Sequence, residues 1–328
     1  MEGFAVVDFF FMAVIAATPL LFATLGEILT QKSGSLNLGV EGMMFMGAAA
    51  GVAASYIYEA TVGDATLGFV SAILAVLIGF LAGALGGLIY SVLTVTFRAN
   101  QNVTGLALTI FGIGAGNLVG ELLGIRAGGF TTVAEDTKRM FSSISIPWLS
   151  DIPVIGRLFF SYNFMVYLAI ITAIVLMWIF NKTRVGLNLR GVGESPATAD
   201  AVGINVTRYK YIAAIVGGGI CGLGGVFISM ADNSGTWIFN CIAGRGWIAV
   251  ALVIFAAWRP SRAIIGALLF GGLSVLRLYL PIDGIPAQVY NILPFVATIL
   301  VLIFTSIRQS KEHSQPKSCG INYFREER

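Results

Sequence analysis

The chain has 328 residues, 57% of them hydrophobic and 11% charged, with 40 glycines, a formal net charge of +3 and a mean hydropathy of +0.86. A water-soluble domain carries about a quarter charged residues to cover its surface, so this composition excludes a water-bathed fold and makes lipid the solvent of most of the chain. The three cysteines (Cys221, Cys241, Cys319) lack metal-ligand spacing and the single histidine, His313, sits in a polar tail, so neither a zinc site, a disulfide framework nor a cofactor is expected.

The start, Met1-Glu2-Gly3-Phe4, is acidic and lacks the basic region of a secretory signal, so the first apolar stretch is expected to stay as a span. A helix needs about 20 mostly apolar residues to cross the hydrocarbon core. In chain order that measure gives spans at 8–29, 38–58, 67–92, 104–122, 163–180, 211–230, 246–258, 262–280 and 290–307, about nine in all with eight or ten as alternatives. The seventh is short enough to be tilted, broken or fused to its neighbour. The expected fold is an all-α polytopic membrane protein: a transmembrane domain over 1–307 and a hydrophilic, loosely ordered tail over 308–328.

Orientation follows from the basic residues, which gather on the cytoplasmic side. With the N-terminus outside and the C-terminus cytoplasmic, fourteen Lys and Arg fall inside, and Arg126, Lys138, Arg139, Arg157, Arg245 and Arg277 fall outside or near the outer ends. This arrangement makes 123–162 an outer loop, with Ile144 to Leu149 as an interfacial or re-entrant piece, and 181–210 an inner loop with helical potential.

The run from Gly34 to Met44 carries three glycines, Asn37 and Glu41 at the mouth of the second span. A carboxylate one turn inside a membrane needs a partner, water or a cavity, and irregular backbone at that depth must be buried in protein or line water. Two readings stand together: a broken helix facing a pathway, and a helix cap in which Glu41 favours an N-terminus. Asp8, Glu27, Asn117, Glu121 and Arg277 are lone polar residues inside spans. Glycines at spacing four, as in Gly79, Gly83 and Gly87 or Gly218 and Gly222, read as helix-packing ridges. Gly217, Gly219 and Gly222 match a dinucleotide fingerprint only formally, since no strand precedes them.

In the inner loop Ser195 and Pro196 start a short helix from Pro196 to Ala201 that closes at Gly203. Such an element, small-surfaced with Ala197, Ala199 and Ala201, is either an ordinary connector or a surface that docks into another protein. No Walker A pattern, zinc-protease pair or nucleophile elbow occurs, so the chain has no expected catalytic residues, and energy for uphill transport must come from a partner or an ion gradient.

Several segments resemble permease subunits of bacterial ABC importers of the branched-chain amino acid, ribose and nucleoside type. Thr18-Pro19-Leu20-Leu21 through Gly26-Glu27, Ser33-Gly34 and Asn37 to Met44 are similar to that family's first signature. Ala99-Asn100-Gln101 with Gly105-Leu106-Ala107-Leu108 resembles a second, residues 193–204 the ATPase-coupling segment, and Gly244 to Ala249 with Pro260 and Gly266 to Gly271 a third. The family often has a carboxylate where Gln101 stands, so no charge-based role is carried over there. Within the family the wording is most like the shorter permease of general nucleoside importers. The resemblance implies a cytoplasmic ABC ATPase, a second and longer permease, an extracytoplasmic substrate-binding lipoprotein and no nucleic acid. It also implies that ATP-driven closure pushes on 190–204 and rocks the spans. Asn37, Glu41, Asn100, Asn102 and Asn117 are the substrate-pathway candidates, because amide side chains suit the hydroxyls and ring nitrogens of a nucleoside. Arg190, Gly193, Glu194, Pro196, Ala197, Ala201 and Gly203 are the coupling candidates. A simple-sugar ABC permease and an ion-coupled secondary transporter are the alternatives.

Overall fold

The computed structural model describes residues 2–143, 155–281, 286–307 and 315–324. Among them the elements are α1 (Glu2–Lys32), α2 (Val40–Val62), α3 (Gly68–Ser91), α4 (Gln101–Ala127), α5 (Glu135–Phe141), α6 (Ile155–Phe159), α7 (Phe164–Lys182), α8 (Arg184–Glu194), α9 (Pro196–Ala201), α10 (Val206–Val226), α11 (Arg245–Phe255), α12 (Pro260–Tyr279) and α13 (Ala287–Ile307). α3 and α10 each run on into a π-helical turn, Val92–Thr96 and Phe227–Asp232.

Among the described residues seven helices are long and apolar enough to cross a membrane: α1, α2, α3, α4, α7, α10 and α12, with α3 and α10 counted through their π turns. Two of the expected spans differ. The one at 246–258 is α11, with 11 residues; at 1.5 Å per residue it reaches only about 16 Å, roughly half the hydrocarbon core. It stops because Ala257 and Trp258 turn left-handed, with φ of 48° and 55°, and Pro260 opens α12 at once. The one at 290–307 is α13, in which the apolar helix over described residues is Gln288–Leu300 and Pro294 lies inside.

α10 is the centre of the bundle: 83% of its apolar window is buried, against 28% for α4. Between apolar helices in lipid, association rests on close packing rather than on a hydrophobic force. The spaced glycines supply that closeness. A Cβ added at Gly222 would meet Gly79 O at 2.6 Å and Gly83 Cα at 3.1 Å, and one at Gly47 would overlap the Gly222 carbonyl. α2 and α3 therefore lie backbone-to-backbone on α10. Gly112 of α4 meets Gly42 of α2 in the same way.

The stretch 123–162 is more ordered than a plain loop. α4 continues to Ala127 and closes on Gly128 at φ 70°. Thr132 bridges to Thr236, and α5 sits against α3. There the Glu59 carboxylate of α2 accepts from the Ala134 N–H at 2.6 Å, the Thr137 hydroxyl at 2.5 Å and the Ser71 hydroxyl at 3.1 Å, placing negative charge at the start of α5 and tying it to α2 and α3. Arg157 of α6 pairs with Asp8 of α1 at 3.0 Å. The expected interfacial piece from Ile144 to Leu149 lies outside the described residues.

Candidate functional site

The chain is irregular between α1 and α2, and most of that break is buried and held by hydrogen bonds. Gly34, at φ 81°, turns the chain out of α1. Ser33, Ser35 and Asn37 are all buried. The Asn37 side-chain oxygen accepts from the Gly39 N–H at 2.8 Å, a local turn that competes with helix. Its own N–H donates to Glu27 Oε1 at 3.2 Å, to which Gln31 also donates at 2.8 Å. Gln31 in turn accepts from the Trp258 indole at 2.6 Å. From the other side the Gln101 Oε1 accepts from the Leu36 N–H at 2.7 Å, Tyr90 donates to Leu36 O at 2.6 Å, and Thr109 donates to Leu38 O at 2.9 Å. Side chains from α1, α3 and α4 thus replace the helix bonds that the break gives up, which lets irregular backbone sit inside the bundle.

Glu41 closes the break from the α2 side. Its two oxygens accept from the Gly244 N–H at 2.7 Å and the Gly246 N–H at 2.6 Å. One carboxylate therefore lies in the first turn of α2 and caps the start of α11, where the unpaired N–H groups and the helix dipole both favour negative charge. The contact needs glycine on the facing helix, since a Cβ at Gly246 would lie 2.6 Å from Glu41 Cα and N.

The other pathway candidates are dispersed. Asn100 caps α4, accepting from the Val103 N–H at 3.1 Å. Asn102 is exposed on the same turn and has no hydrogen-bond partner among the described residues. Asn117 lies further along α4, where it accepts from the Asn240 N–H at 3.3 Å. Gln101, given no role from sequence, is the buried hub: its Oε1 accepts from Leu36 and Tyr90, and its amide nitrogen donates to Asn322 Oδ1 at 3.1 Å. Its uncharged amide both accepts from the break and donates to the tail, which no carboxylate could do. Asp8 pairs with Arg157, Glu27 accepts through Oε1 while its buried Oε2 has no hydrogen-bond partner among the described residues, and Glu121 and Arg277 are exposed.

The α8–α9 end forms as the sequence dictates. Thr183 caps α8 through the Gly186 N–H at 3.1 Å, and Ser195 caps α9 through the Thr198 N–H at 3.4 Å. Pro196 holds the first turn, and Gly203, at φ 86°, ends the helix. Leu189, Val192, Ala199 and Val206 face inward. Arg190, Glu194, Ala197, Ala201 and Gly203 are exposed and Pro196 is half-buried. Gly193 alone of the coupling candidates faces the bundle, so close that a Cβ there would overlap the Lys32 carbonyl.

Residues 315–324 of the expected loose tail are packed onto this end. Ser318 donates to Gly193 O from its N–H at 3.0 Å and from its hydroxyl at 2.5 Å. The Asn322 amide donates to Arg98 O at 2.6 Å and Ala99 O at 3.0 Å, and Tyr323 donates to Asp200 Oδ2 at 2.9 Å. The segment is polar, but its polar groups match backbone carbonyls that α3 and α8 leave unpaired at their ends. Two cavities open at the same end, one of about 480 Å³ against Lys32, Arg190, Glu194 and Arg259 and one of about 690 Å³ at the start of α10. No cluster of metal-ligating side chains occurs among the described residues.

Residues 9–302 match the family described as branched-chain amino acid transport system / permease component. The nucleoside ABC transporter permease protein NupC of Lactococcus lactis is 33% identical, with 95% of each chain aligned. The guanosine ABC transporter permease protein NupQ of Bacillus subtilis is 34% identical over 96% of each. A Haloferax volcanii protein provisionally named a glucose ABC transporter permease is 34% identical over 95% of this chain and 96% of its own. A match over nearly the whole length places the helix break, α8–α9 and α11 all within the shared region. The chain belongs to the branched-chain amino acid transport system permease family, as a multi-pass transport subunit of the cytoplasmic membrane and not an enzyme.

Proposed function

We propose that this chain is the permease subunit of an ABC importer that carries nucleosides into the cell. The observation that carries the reading is full-length similarity to two permeases named for nucleoside and guanosine transport. A cytoplasmic ATPase supplies the energy and an extracytoplasmic binding protein delivers the solute. The second permease is a different, longer chain. Bacillus subtilis has two proteins named guanosine ABC transporter permease; this chain is 34% identical to NupQ but 24% identical to NupP, of which the alignment covers only 79%. Lactococcus lactis repeats the pattern with NupC and NupB.

The α8–α9 end faces the cytoplasm and the N-terminus lies outside. Lys32, Arg98, Lys182, Arg184, Arg190, Arg208, Lys210, Arg259 and Arg262 support this, because their elements all begin or end there. The exposed α9 with Glu194 and Arg190 docks on the ATPase, while Gly193 passes its movement to the break. Asn37 and Glu41 shape the pathway by holding the break and α11; Asn100 and Asn117 hold α4, and Asn102 presents its amide to the solute. Glucose is the second reading, favoured by the Haloferax relative.

The test is the ATPase rate of the copurified complex with its binding protein, reconstituted in lipid. Guanosine, adenosine or uridine should stimulate hydrolysis and glucose or ribose should not. Stimulation by glucose alone moves the assignment to sugars. Uptake that continues without nucleotide and collapses with the ion gradient overturns the ABC reading.

A further inference from the structure

α10 begins in the cavity of about 690 Å³, whose wall includes Arg98, Arg208 and Lys210. Lys210 is 3% exposed, and no hydrogen bond or ion pair among the described residues uses its ammonium. A buried ammonium without a counter-charge is costly, and structures normally pair it. Asp200, the carboxylate in the same wall, accepts from Tyr323 at 2.9 Å. Among the described residues three cations against one carboxylate leave an excess of two positive charges facing one space.

The remaining wall also donates. Asn205 caps α10 by accepting the Arg208 N–H at 2.9 Å, so the N–H groups of Val206 and Thr207 remain without partners among the described residues, on the positive end of a 21-residue helix. The Arg98 guanidinium lies over the Phe324 ring at 4.7 Å, a contact through its face that leaves the N–H edge free. Phe97, next in the chain to Arg98 and just past the π turn that ends α3, is 70% exposed.

We propose that this cavity binds a phosphate group, presented by an anionic phospholipid headgroup or by a free phosphate, between Lys210, Arg208 and Arg98. A phosphate has the charge for the excess and the acceptor oxygens for the unpaired donors. Bound there it joins the start of α10, the end of α9 and the docked tail, so occupancy stiffens the α8–α9 end.

The experiment follows thermal unfolding of the purified full chain in neutral detergent at constant ionic strength. Inorganic phosphate, phosphatidylglycerol and phosphatidylcholine are titrated separately on the wild type, Lys210→Met and Arg208→Gln. Wild type should show a saturable rise in Tm, and each variant should need at least about tenfold more ligand for half the rise. Saturation by inorganic phosphate identifies a free-phosphate site. Saturation by phosphatidylglycerol but neither other probe identifies a headgroup site. Absence of a saturable rise, or variants that respond as the wild type does, overturns the proposal. Arg208 is exposed, so its variant decides the matter if Lys210→Met does not fold.

Discussion

Glu41→Ala should release the turn before α11. The substitution removes both oxygens that accept from Gly244 and Gly246, at 2.7 and 2.6 Å. A hydrogen bond to a charged group contributes about 1.5–3 kcal/mol, so losing two costs about 3 kcal/mol at the low end. At about 1.4 kcal/mol per factor of ten, local opening of this contact should rise roughly a hundredfold. Cys241 reports on it: the thiol is half-buried three residues before Gly244, and burial pushes its pKa up to about 12. In the wild type it should react slowly with a maleimide, because little thiolate is present and access is restricted. Labelling read by peptide mass spectrometry should accelerate at least about tenfold in Glu41→Ala, allowing for partial relaxation. Glu41→Gln should fall between, since it keeps one acceptor. Glu121→Ala is the control, because Glu121 is exposed and such changes stay within about 0.5 kcal/mol. A Cys241 rate within twofold of wild type in Glu41→Ala would show that the carboxylate does not hold α11.

Three further outcomes test separate parts of the structure. Gly222→Leu forces a side chain against Gly79 O and Gly83 Cα, so its monodisperse yield in size-exclusion chromatography should drop below about a tenth of wild type; Gly114→Ala, which meets nothing within 4 Å, should match wild type. Glu194→Arg should leave the complex assembled but abolish uptake while ATP is still hydrolysed; normal uptake would remove Glu194 from the coupling surface. Asn322→Ala loses its bonds to Arg98 O, Ala99 O and Gln101, about 1.5–4.5 kcal/mol in all, and proteolytic cutting of the tail should speed up about fivefold or more. An unchanged cutting rate would mean that Asn322 does not fasten the segment.

The legible features in the sequence were those whose cause is local. Hydropathy located the long spans because a bilayer demands about 20 apolar residues in a row. Ser195, Pro196 and Gly203 marked α9 to the residue, since capping chemistry acts within one turn. α11 was harder, because its apolar run continues through Ala256, Ala257 and Trp258, and only the left-handed backbone ends the helix. The site was legible in position but not in partners. Glu41 stood out as an acid in an apolar run, but nothing near it pointed to Gly244 and Gly246, 203 and 205 residues away. Gln101 stands out in the sequence only as a departure from the family's usual carboxylate, and its ability to accept and donate at once, which joins Leu36 to Asn322, depends on partners remote in the chain. The tail looked solvated by composition, and its order comes from partners on α3 and α8 that are remote in sequence.

These contacts imply that α8–α9 and the break cannot move independently. Gly193 abuts the Lys32 carbonyl, and the Ser318 hydroxyl that bonds to Gly193 O also sits where a Cβ of Gly34 would be. A displacement of α8 by even one methyl group must therefore shift Lys32, Gly34 or Ser318, and through Leu36 and Gln101 the shift reaches α4. Gly193→Val separates this linkage from docking. Its side chain would be driven into the Lys32 carbonyl, while the exposed faces of Arg190, Glu194 and Ala197 keep their chemistry. On the proposed function, the variant should copurify with the ATPase at wild-type stoichiometry and hydrolyse ATP, yet transport at less than about a tenth of the wild-type rate. Loss of copurification would mean that Gly193 serves docking, and full transport would mean that motion reaches the break by another route.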